Sequence, residues 1–355
     1  MKNKVLLFGY SRANFGDDIF IYMLAKRYKE IEFYIHIKEE KYKKGLKELK
    51  NVHYLDEDRD VKKIDIEKYD AFCYVGGSIF IESNYARHEA EEFNYFIKKC
   101  KEKGKPFFYM TCNFGPYNTE EYLNKVRENF SLCESVCVRD KKTYGLFNDI
   151  PTVSYAPDMV LSYPVKKIEK NKKSVGISVI NLANREELLA KQAEYEDYIK
   201  RIVIKFAKRN YKVYLISFCE FEEDMIAIKK IKNLIPEEYQ KNVKILTYEG
   251  NIDGFIEEYG KIKYMVCTRF HSLILSILLR QKIYNLCYSD KQKNAAKDYK
   301  LFRKVVMIKD INYDIRLKKN YFKSVNWFKY KKLNKLAEGQ FKGLENWIKN
   351  NSALH

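Results

Sequence analysis

The chain has 355 residues and is 46% hydrophobic, which is enough for two domains of ordinary size and excludes a chain that is disordered throughout. Lysine and arginine total 67 against 48 acidic residues. The resulting formal net charge of +19 favours anionic partners, although a lysine-rich proteome explains it equally well. The eight cysteines form no CxxC pair or His/Cys cluster, and no apolar run reaches membrane-spanning length, so we expect no disulfide framework, no metal site and a cytoplasmic location.

The first half of the chain alternates short apolar segments with longer amphipathic ones. Such alternation is typical of a parallel sheet whose strands are joined by crossover helices. The predicted strands are residues 5–8, 33–37, 71–75, 107–111 and 136–138, and the predicted helices are residues 19–28, 86–103 and 120–130.

The second half repeats the pattern after residues 168–173, which are charged and are predicted to form a linker. We therefore predict an α/β fold with two doubly wound Rossmann-like domains, residues 1–168 and 169–314, whose ligands bind beyond the carboxyl ends of the strands. The predicted strands of the second domain are residues 174–179, 212–217, 243–246, 264–267 and 283–287, and its predicted helices are residues 185–208, 222–234, 252–259 and 271–279.

Residues 315–355 are rich in lysine and aromatic residues and are predicted to form a mainly helical tail. One interpretation is a basic amphipathic surface that touches anionic lipid. The alternative, a C-terminal helix packed across the two domains, is favoured because aromatic stripes are usually buried. The predicted apolar side of the tail consists of Trp327, Phe328, Tyr330, Leu333, Leu336, Phe341, Leu344 and Trp347.

The most informative motif is residues 267–272 (CTRFHS), which stand between a predicted strand and a predicted helix. The first amides of a helix lack intrahelical partners and attract anions. Arg269 adds a planar fork for phosphate or carboxylate, and His271 adds a side chain that exchanges a proton near neutral pH. The motif therefore predicts an enzyme with a small, strongly anionic substrate, whereas a structural histidine is the alternative.

A second motif, residues 9–18 (GYSRANFGDD), joins the first predicted strand to the first predicted helix. It matches neither the dinucleotide fingerprint nor a phosphate-binding P-loop. Asn14 and Gly16 suit a tight turn. Asp17 is predicted either to cap the helix or, with Asp18, to hold hydroxyl groups of an acceptor.

Two glycine-containing motifs follow other predicted strands of the first domain. Gly76, Gly77 and Ser78 form either a loop whose amides face a ligand or an ordinary tight turn. Asn113 begins residues 113–116 (NFGP), which have either a place in the same ligand cleft or a purely conformational role.

Charged residues mark the ends of three further predicted segments. Arg139, followed by Asp140, ends an apolar strand and is predicted to face an anion, with a structural arginine–carboxylate pair as the alternative. Asp158 belongs to residues 156–158 (APD), next to the predicted linker. Lys291 follows the last predicted strand, although one lysine carries little weight in so basic a chain.

Together and in this order, the motifs resemble those of the polysaccharide pyruvyl transferase family. The resemblance spans most of the chain, to about residue 290, although Val75 stands where many relatives carry a third glycine. The matching segments are residues 14–17 (NFGD), 76–78 (GGS), 113–116 (NFGP), 138–140 (VRD), 156–158 (APD) and 269–272 (RFHS).

The resemblance implies a GT-B-like fold and the transfer of pyruvate from phosphoenolpyruvate to two hydroxyls of a bacterial cell-surface saccharide, giving a cyclic ketal without a metal or other cofactor. It implies an acceptor side in the first domain, a donor side in the second and His271 as the catalytic acid. The implied donor-binding residues are Arg139, Arg269, Ser272 and Lys291. The implied acceptor or cleft residues are Asn14, Asp17, Gly76, Gly77, Ser78 and Asn113.

Two other functions are consistent with the sequence. A GT-B glycosyltransferase that uses a nucleotide sugar has the same fold, since fold does not decide function. A non-catalytic binder of anionic membrane or nucleic acid agrees with the charge, but the cations are spread along the chain and no nucleic-acid module is recognisable. We therefore expect no nucleic-acid partner. A lipid-linked acceptor and peripheral contact with the inner face of the cell membrane stay open, as does the oligomeric state.

Overall fold

The computed structural model describes residues 2–10, 12–57, 59–183, 185–300, 305–313, 317 and 321–352. Ser11 of the second motif and parts of the predicted tail (315, 316, 318–320 and 353–355) lie outside these residues. The chain divides into two compact units. The first contains the described residues of 1–11, 17–162 and 333–355, and the second contains the described residues of 12–16 and 163–332.

The first unit is built on a seven-stranded sheet in the order β3-β2-β1-β4-β5-β6-β7, and all of its neighbouring strands pair in parallel. The order reverses between β1 and β4, where doubly wound folds bind ligands. Its strands are β1 (Lys4–Phe8), β2 (Glu32–His36), β3 (Val52–Leu55), β4 (Ala71–Val75), β5 (Phe107–Cys112), β6 (Ser135–Val138) and β7 (Val153–Tyr155). The helices that begin in this half are α1 (Phe15–Arg27), α2 (Glu40–Lys43), α3 (Asn84–Glu102), α4 (Glu120–Leu132) and α5 (Lys141–Phe147).

The central strands of the first unit are buried on both faces, as parallel strands covered by helices usually are. Every residue of β4 and β5 is buried. The core between the sheet and α3 is rich in aromatic rings, and Phe8 contacts Phe93 edge to face at 5.1 Å between ring centroids. The five strands predicted from the sequence are confirmed, whereas β3 and β7, at the two sheet edges, were not predicted.

The second unit contains a six-stranded parallel sheet in the order β10-β9-β8-β11-β12-β13, which reverses between β8 and β11. Its strands are β8 (Asn171–Ser178), β9 (Lys212–Ser217), β10 (Val243–Thr247), β11 (Ile262–Cys267), β12 (Lys282–Cys287) and β13 (Val306–Met307). Its helices are α6 (Glu186–Leu189), α7 (Gln192–Ala207), α8 (Asp224–Asn233), α9 (Glu237–Gln240), α10 (Ile252–Gly260), α11 (Phe270–Leu278) and α12 (Asp290–Asp298).

Two predictions for this half were wrong in detail. The charged residues 168–173 are not entirely a linker, because β8 already begins at Asn171 and its first three residues are exposed. The single helix predicted over residues 185–208 is two helices, since the chain leaves the helical pattern at Ala190 and Lys191. In both places the hydrophobic pattern located the element but not its ends.

The tail forms α13 (Trp327–Ala337) and α14 (Lys342–Ser352). Phe341 and Leu344 are buried as predicted, but Trp327 is 43% exposed, Phe328 84% and Leu336 46%, so the predicted apolar side is only partly buried. In the described part of the chain, no helix is both long enough and apolar enough to cross a membrane.

Gln340, between α13 and α14, ties the tail to the first unit. Its Oε1 accepts a hydrogen bond from the Thr111 amide at 2.8 Å. Its Nε2 donates to the carbonyl oxygens of Ala156 at 2.7 Å and Pro157 at 3.2 Å. The Gln340 side chain is 1% exposed, so these bonds replace water for three backbone groups of the first unit.

Candidate active site

The turn from β11 to α11 places Arg269 at the point where the strand order of the second unit reverses. The Ser178 hydroxyl, at the end of β8, accepts hydrogen bonds from the amides of Thr268 at 2.8 Å and Arg269 at 3.2 Å. The Thr268 hydroxyl in turn donates to the Ser178 carbonyl. These bonds fix the turn against the neighbouring strand, so the residues that follow have a defined position.

The Arg269 guanidinium is held by two carboxylates from the segment after β9. Its Nη2 donates to Asp224, and its Nη1 donates to Glu222 Oε2 at 2.6 Å. Asp224 is fully buried and accepts two further bonds, from the amides of Phe218 at 2.9 Å and Cys219 at 3.1 Å. Burial opposes the charge of Arg269, but Asp224 and Glu222 outweigh it and raise the pKa of Arg269 well above its ordinary value.

Three more side chains extend this cluster, and the sequence had indicated only one of them, Lys291. Arg185 donates from Nη2 to Glu222 Oε2 at 2.6 Å, and its guanidinium lies 4.5 Å from the centre of the Tyr288 ring. Lys291 Nζ lies 5.4 Å from the same ring. Burial raises the pKa of Tyr288, but Lys291 and Arg185 outweigh it and lower that pKa below its ordinary value.

The His271 ring lies against the backbone of Gly16. A Cβ atom at Gly16 would lie 1.8 Å from His271 Nδ1, so only glycine fits beneath the imidazole. Phe270 contacts His271 edge to face at 5.2 Å, and Lys291 Nζ lies 6.0 Å from the Phe270 ring. Residues 12–16 of the second motif and residues 267–272 therefore come together within the second unit, although they are about 250 residues apart in the chain.

Residues 12–16 are anchored in the second unit by backbone and aromatic contacts. Asn14 pairs with Cys219 in an antiparallel bridge, and the Phe15 amide donates to the Phe218 carbonyl at 3.0 Å. The buried Phe15 ring contacts the rings of Phe218, Tyr248 and Phe255. This anchoring explains why Gly16 stays in place beneath His271.

The start of α1 corrects one predicted role. The helix begins at Phe15, so Asp17 lies in its first turn and does not cap it. Asn14 takes that position, and its Oδ1 accepts a hydrogen bond from the Gly16 amide at 3.0 Å. Asp17 favours the helix through its charge near the positive end of the dipole, and its predicted contact with an acceptor stays a prediction.

The first unit has a second buried arginine, Arg139, at the carboxyl edge of its sheet. Its Nη1 pairs with the fully buried Asp158 at 2.8 Å. Its Nε and Nη2 both donate to Asn113 Oδ1, at 3.2 and 2.8 Å. Gly77 lies directly against the guanidinium, since a Cβ there would be 2.2 Å from Nη2. Three motifs that are separate in the sequence therefore each place one residue against Arg139, namely Gly77, Asn113 and Asp158. Asp158 is its carboxylate partner.

The remaining predicted residues lie around these two arginines or in the core. Asp140 caps α5 through the Thr143 amide at 2.8 Å. Gly76 and Ser78 flank Gly77 in the loop after β4. Ser272 is fully buried, and its hydroxyl pairs with the Tyr259 hydroxyl at 2.9 Å; its predicted role in binding the pyruvyl donor stays a prediction.

Residues with a left-handed backbone stand next to both clusters. Ala13 has a φ of 51° and precedes Asn14, and Glu223 has a φ of 57° and follows Glu222. In the first unit the buried Thr111 has a φ of 56°. Each such residue costs on the order of 1–3 kcal/mol, and strain of this kind concentrates at functional sites.

The described residues contain no group of three or more His, Cys, Asp or Glu side chains that is arranged to hold a metal ion. The arginines of both clusters are paired with carboxylates, and Arg139 is also bonded to the amide oxygen of Asn113. Arginine and lysine side chains bind anionic groups directly.

Solved structures similar to this chain contain two α/β domains. A UDP-GlcNAc 2-epimerase from Methanocaldococcus jannaschii, solved with UDP-GlcNAc and UDP, is 10% identical with a TM-score of 0.55, over 94% of this chain and 98% of that one. A protein from Listeria monocytogenes, named as a candidate UDP-N-acetylglucosamine 2-epimerase, is also 10% identical with a TM-score of 0.55, over 84% of this chain and 82% of that one. Such low identity establishes the fold alone, and the predicted GT-B-like α/β fold is confirmed.

No curated protein matches the sequence. The profile of one family, described as polysaccharide pyruvyl transferase, matches residues 14–282. This range is well over half of the chain and contains every predicted site residue except Lys291. The chain therefore belongs to the polysaccharide pyruvyl transferase family and is a transferase of polysaccharide biosynthesis.

Proposed function

We propose that the protein transfers pyruvate from phosphoenolpyruvate to two hydroxyls of a bacterial cell-surface saccharide and forms a cyclic ketal. The observation that carries this proposal is the second-unit cluster, in which the Phe270 ring lies near both His271 and Lys291 and Arg269 is the N-cap residue of α11. A proton donor is thus held beside several cations. This combination suits a substrate that carries two anionic groups on a small carbon frame.

The reaction requires a proton on carbon and the departure of phosphate. The methylene carbon of phosphoenolpyruvate takes a proton and becomes a methyl group, which makes the adjacent carbon electrophilic. One saccharide hydroxyl attacks that carbon, the C–O bond to phosphate breaks, and the second hydroxyl closes the ring. The two hydroxyls lose two protons in total. One of these protons balances the proton that the new methyl group gained, and the other is taken up by phosphate or solvent.

His271 is the proposed general acid for the methylene carbon. Of the side-chain types in this cluster, histidine has the ordinary pKa nearest to neutral pH. Arg269 and Lys291 are proposed to bind the phosphate and carboxylate of the donor. Arg139 of the first unit remains a predicted donor contact. Asn14, Asp17, Gly76, Gly77, Ser78 and Asn113 remain predicted acceptor or cleft residues.

The test is to incubate the protein with phosphoenolpyruvate and a panel of saccharides that carry neighbouring free hydroxyls. We expect phosphate release that depends on the saccharide, together with a new methyl signal from the ketal in the NMR spectrum. In D₂O the product methyl group should carry deuterium, because the proton comes from an exchangeable group. A parallel reaction with UDP-sugars tests the rival glycosyltransferase. A product that contains sugar from the UDP-sugar and no pyruvate would contradict the proposal.

A further inference from the structure

The two carboxylates that hold Arg269 differ in how firmly they are fixed. Asp224 is fully buried, and two backbone amides bind one of its oxygens. The Glu222 side chain is 30% exposed, and it stands in the turn before α8. Asp224 is therefore a permanent partner of Arg269, whereas Glu222 can rotate into solvent without leaving a buried charge.

A single oxygen of Glu222 joins two arginines. Glu222 Oε2 lies 2.6 Å from Arg269 Nη1 and 2.6 Å from Arg185 Nη2. Burial raises the pKa of Glu222, but Arg269 and Arg185 outweigh it and hold the pKa below its ordinary value, so this carboxylate is ionised at neutral pH. It thus presents to the two guanidinium groups an oxygen anion of the kind that a substrate phosphate or carboxylate presents.

We propose that Glu222 is a displaceable internal anion and that a phosphate or carboxylate group of the substrate replaces it on Arg185 and Arg269. Arg185 is then a further substrate-binding residue. In the bound state it joins Arg269 and Lys291, and Asp224 stays beneath Arg269. This inference rests on the proposed function only for the identity of the anion, namely phosphoenolpyruvate.

Displacement has a defined energetic consequence. The substrate must break two charge-assisted hydrogen bonds of Glu222 before it makes its own, so wild-type affinity is lower than the cations alone would provide. Tyr288 contacts both Arg185 and Lys291, and it keeps these two cations in place when Glu222 leaves. The cations of the cluster are therefore already in position to bind an anion. Without substrate, the Glu222 carboxylate occupies that position.

The experiment is calorimetric titration of the full chain with inorganic phosphate, phosphoenolpyruvate and UDP, each in separate runs. Glu222→Gln removes the competing charge, and we expect it to bind at least one of these anions about tenfold more tightly than the wild type. Glu220→Gln is the matched control, because Glu220 is an exposed residue of the same turn and its loss changes the net charge equally. We expect Glu220→Gln to bind as the wild type does.

Two further variants keep the test decisive. Arg185→Gln in the Glu222→Gln background should abolish the gain in affinity, because the second guanidinium is then missing. If Glu222→Gln does not fold, Glu222→Asp shortens the side chain and should also bind the anion more tightly. Unchanged or weaker binding of all three anions by a folded Glu222 variant would overturn the inference and would make Glu222 a residue that merely positions the arginines. A gain for UDP but not for phosphoenolpyruvate would instead support the inference and contradict the proposed function.

Discussion

The imidazole of His271 packs directly against the backbone of Gly16, and the space between them leaves no room for a side chain at residue 16. Gly16 lies in the first turn of α1 and His271 in the first turn of α11, yet both belong to the second unit. Gly16 therefore restricts where the imidazole of the proposed acid can lie. The position of the imidazole can therefore be tested by a substitution at Gly16, and its role in proton transfer by a substitution at His271.

Gly16→Ala tests the position of the ring. The new methyl group would lie 1.8 Å from His271 Nδ1, so the imidazole must move. A misplacement of about 1 Å costs on the order of 100-fold in rate, and we expect that loss in kcat for phosphate release, with donor affinity largely kept. Gly145→Ala is the control, since a Cβ at Gly145 meets nothing within 4 Å. Wild-type kcat in Gly16→Ala would contradict the positioning role.

His271→Ala tests the chemistry. Removal of a general acid typically lowers turnover by about 10²–10⁴-fold, while the cations that hold the donor remain. We therefore expect kcat to fall and the Kd for phosphoenolpyruvate, measured by calorimetry, to change little. Incorporation of deuterium into the product methyl group in D₂O should slow in parallel with kcat. A variant with wild-type turnover would exclude His271 as the acid.

Arg139→Lys tests the predicted donor contact in the first unit. Lysine keeps the charge opposite Asp158 but loses the planar fork that donates twice to Asn113. We expect the Kd for phosphoenolpyruvate to rise and the free energy of unfolding to fall by about 1–3 kcal/mol. Arg127→Lys, at a partly exposed ion pair with Asp149, should change neither quantity appreciably. Equal donor affinity in wild type and Arg139→Lys would leave Arg139 with a structural role alone.

Glu82→Gln tests a pH dependence of the first unit. Glu82 accepts hydrogen bonds from the Thr119 hydroxyl at 2.6 Å, from the amides of Asn118 and Thr119, and from Arg87, and these bonds lower its pKa to about 2. A lowered pKa means that the stabilisation is fully present above the unfolded value of about 4.3 and is lost as the pH falls towards 2.

The measurement for Glu82 is urea unfolding at pH 7 and pH 3. The wild type should lose more stability between these two values than Glu82→Gln does, because glutamine does not titrate. At pH 7 the variant should be the less stable of the two. The same loss of stability in both proteins would show that other carboxylates account for the acid sensitivity.

The fold was predictable because its central strands are buried on both faces and appear in the sequence as short, continuous apolar runs. β4 and β5 are the clearest cases, and both were predicted almost to the residue. β3 was missed because it lies at the sheet edge and is only partly buried, which weakens the apolar pattern. Local pattern thus identifies central strands better than edge strands.

The site was only half predictable, for a different physical reason. Arg269, His271 and Arg139 stand at the ends of apolar strands, which the sequence shows directly. The carboxylate partners of Arg269 do not stand out in the sequence, because Glu222 and Asp224 look like ordinary acidic residues at the start of a predicted helix. Gly16 lies close to His271 because residues 12–16 belong to the second unit. The aromatic contacts of Phe15 hold those residues there. The spacing of motifs along the sequence does not reveal such long-range contacts.

The bonds of Gln340 have a consequence for biosynthesis. The first unit contains both early residues of the chain and residues 333–352, and Gln340 supplies partners for three of its backbone groups. During translation the first unit cannot complete these three bonds until residue 340 has left the ribosome, although domains generally fold in order of synthesis. The second unit, whose residues are almost contiguous, can be finished first. A nascent chain that stalls before residue 333 therefore lacks the side chain that bonds the Thr111 amide and the carbonyl oxygens of Ala156 and Pro157.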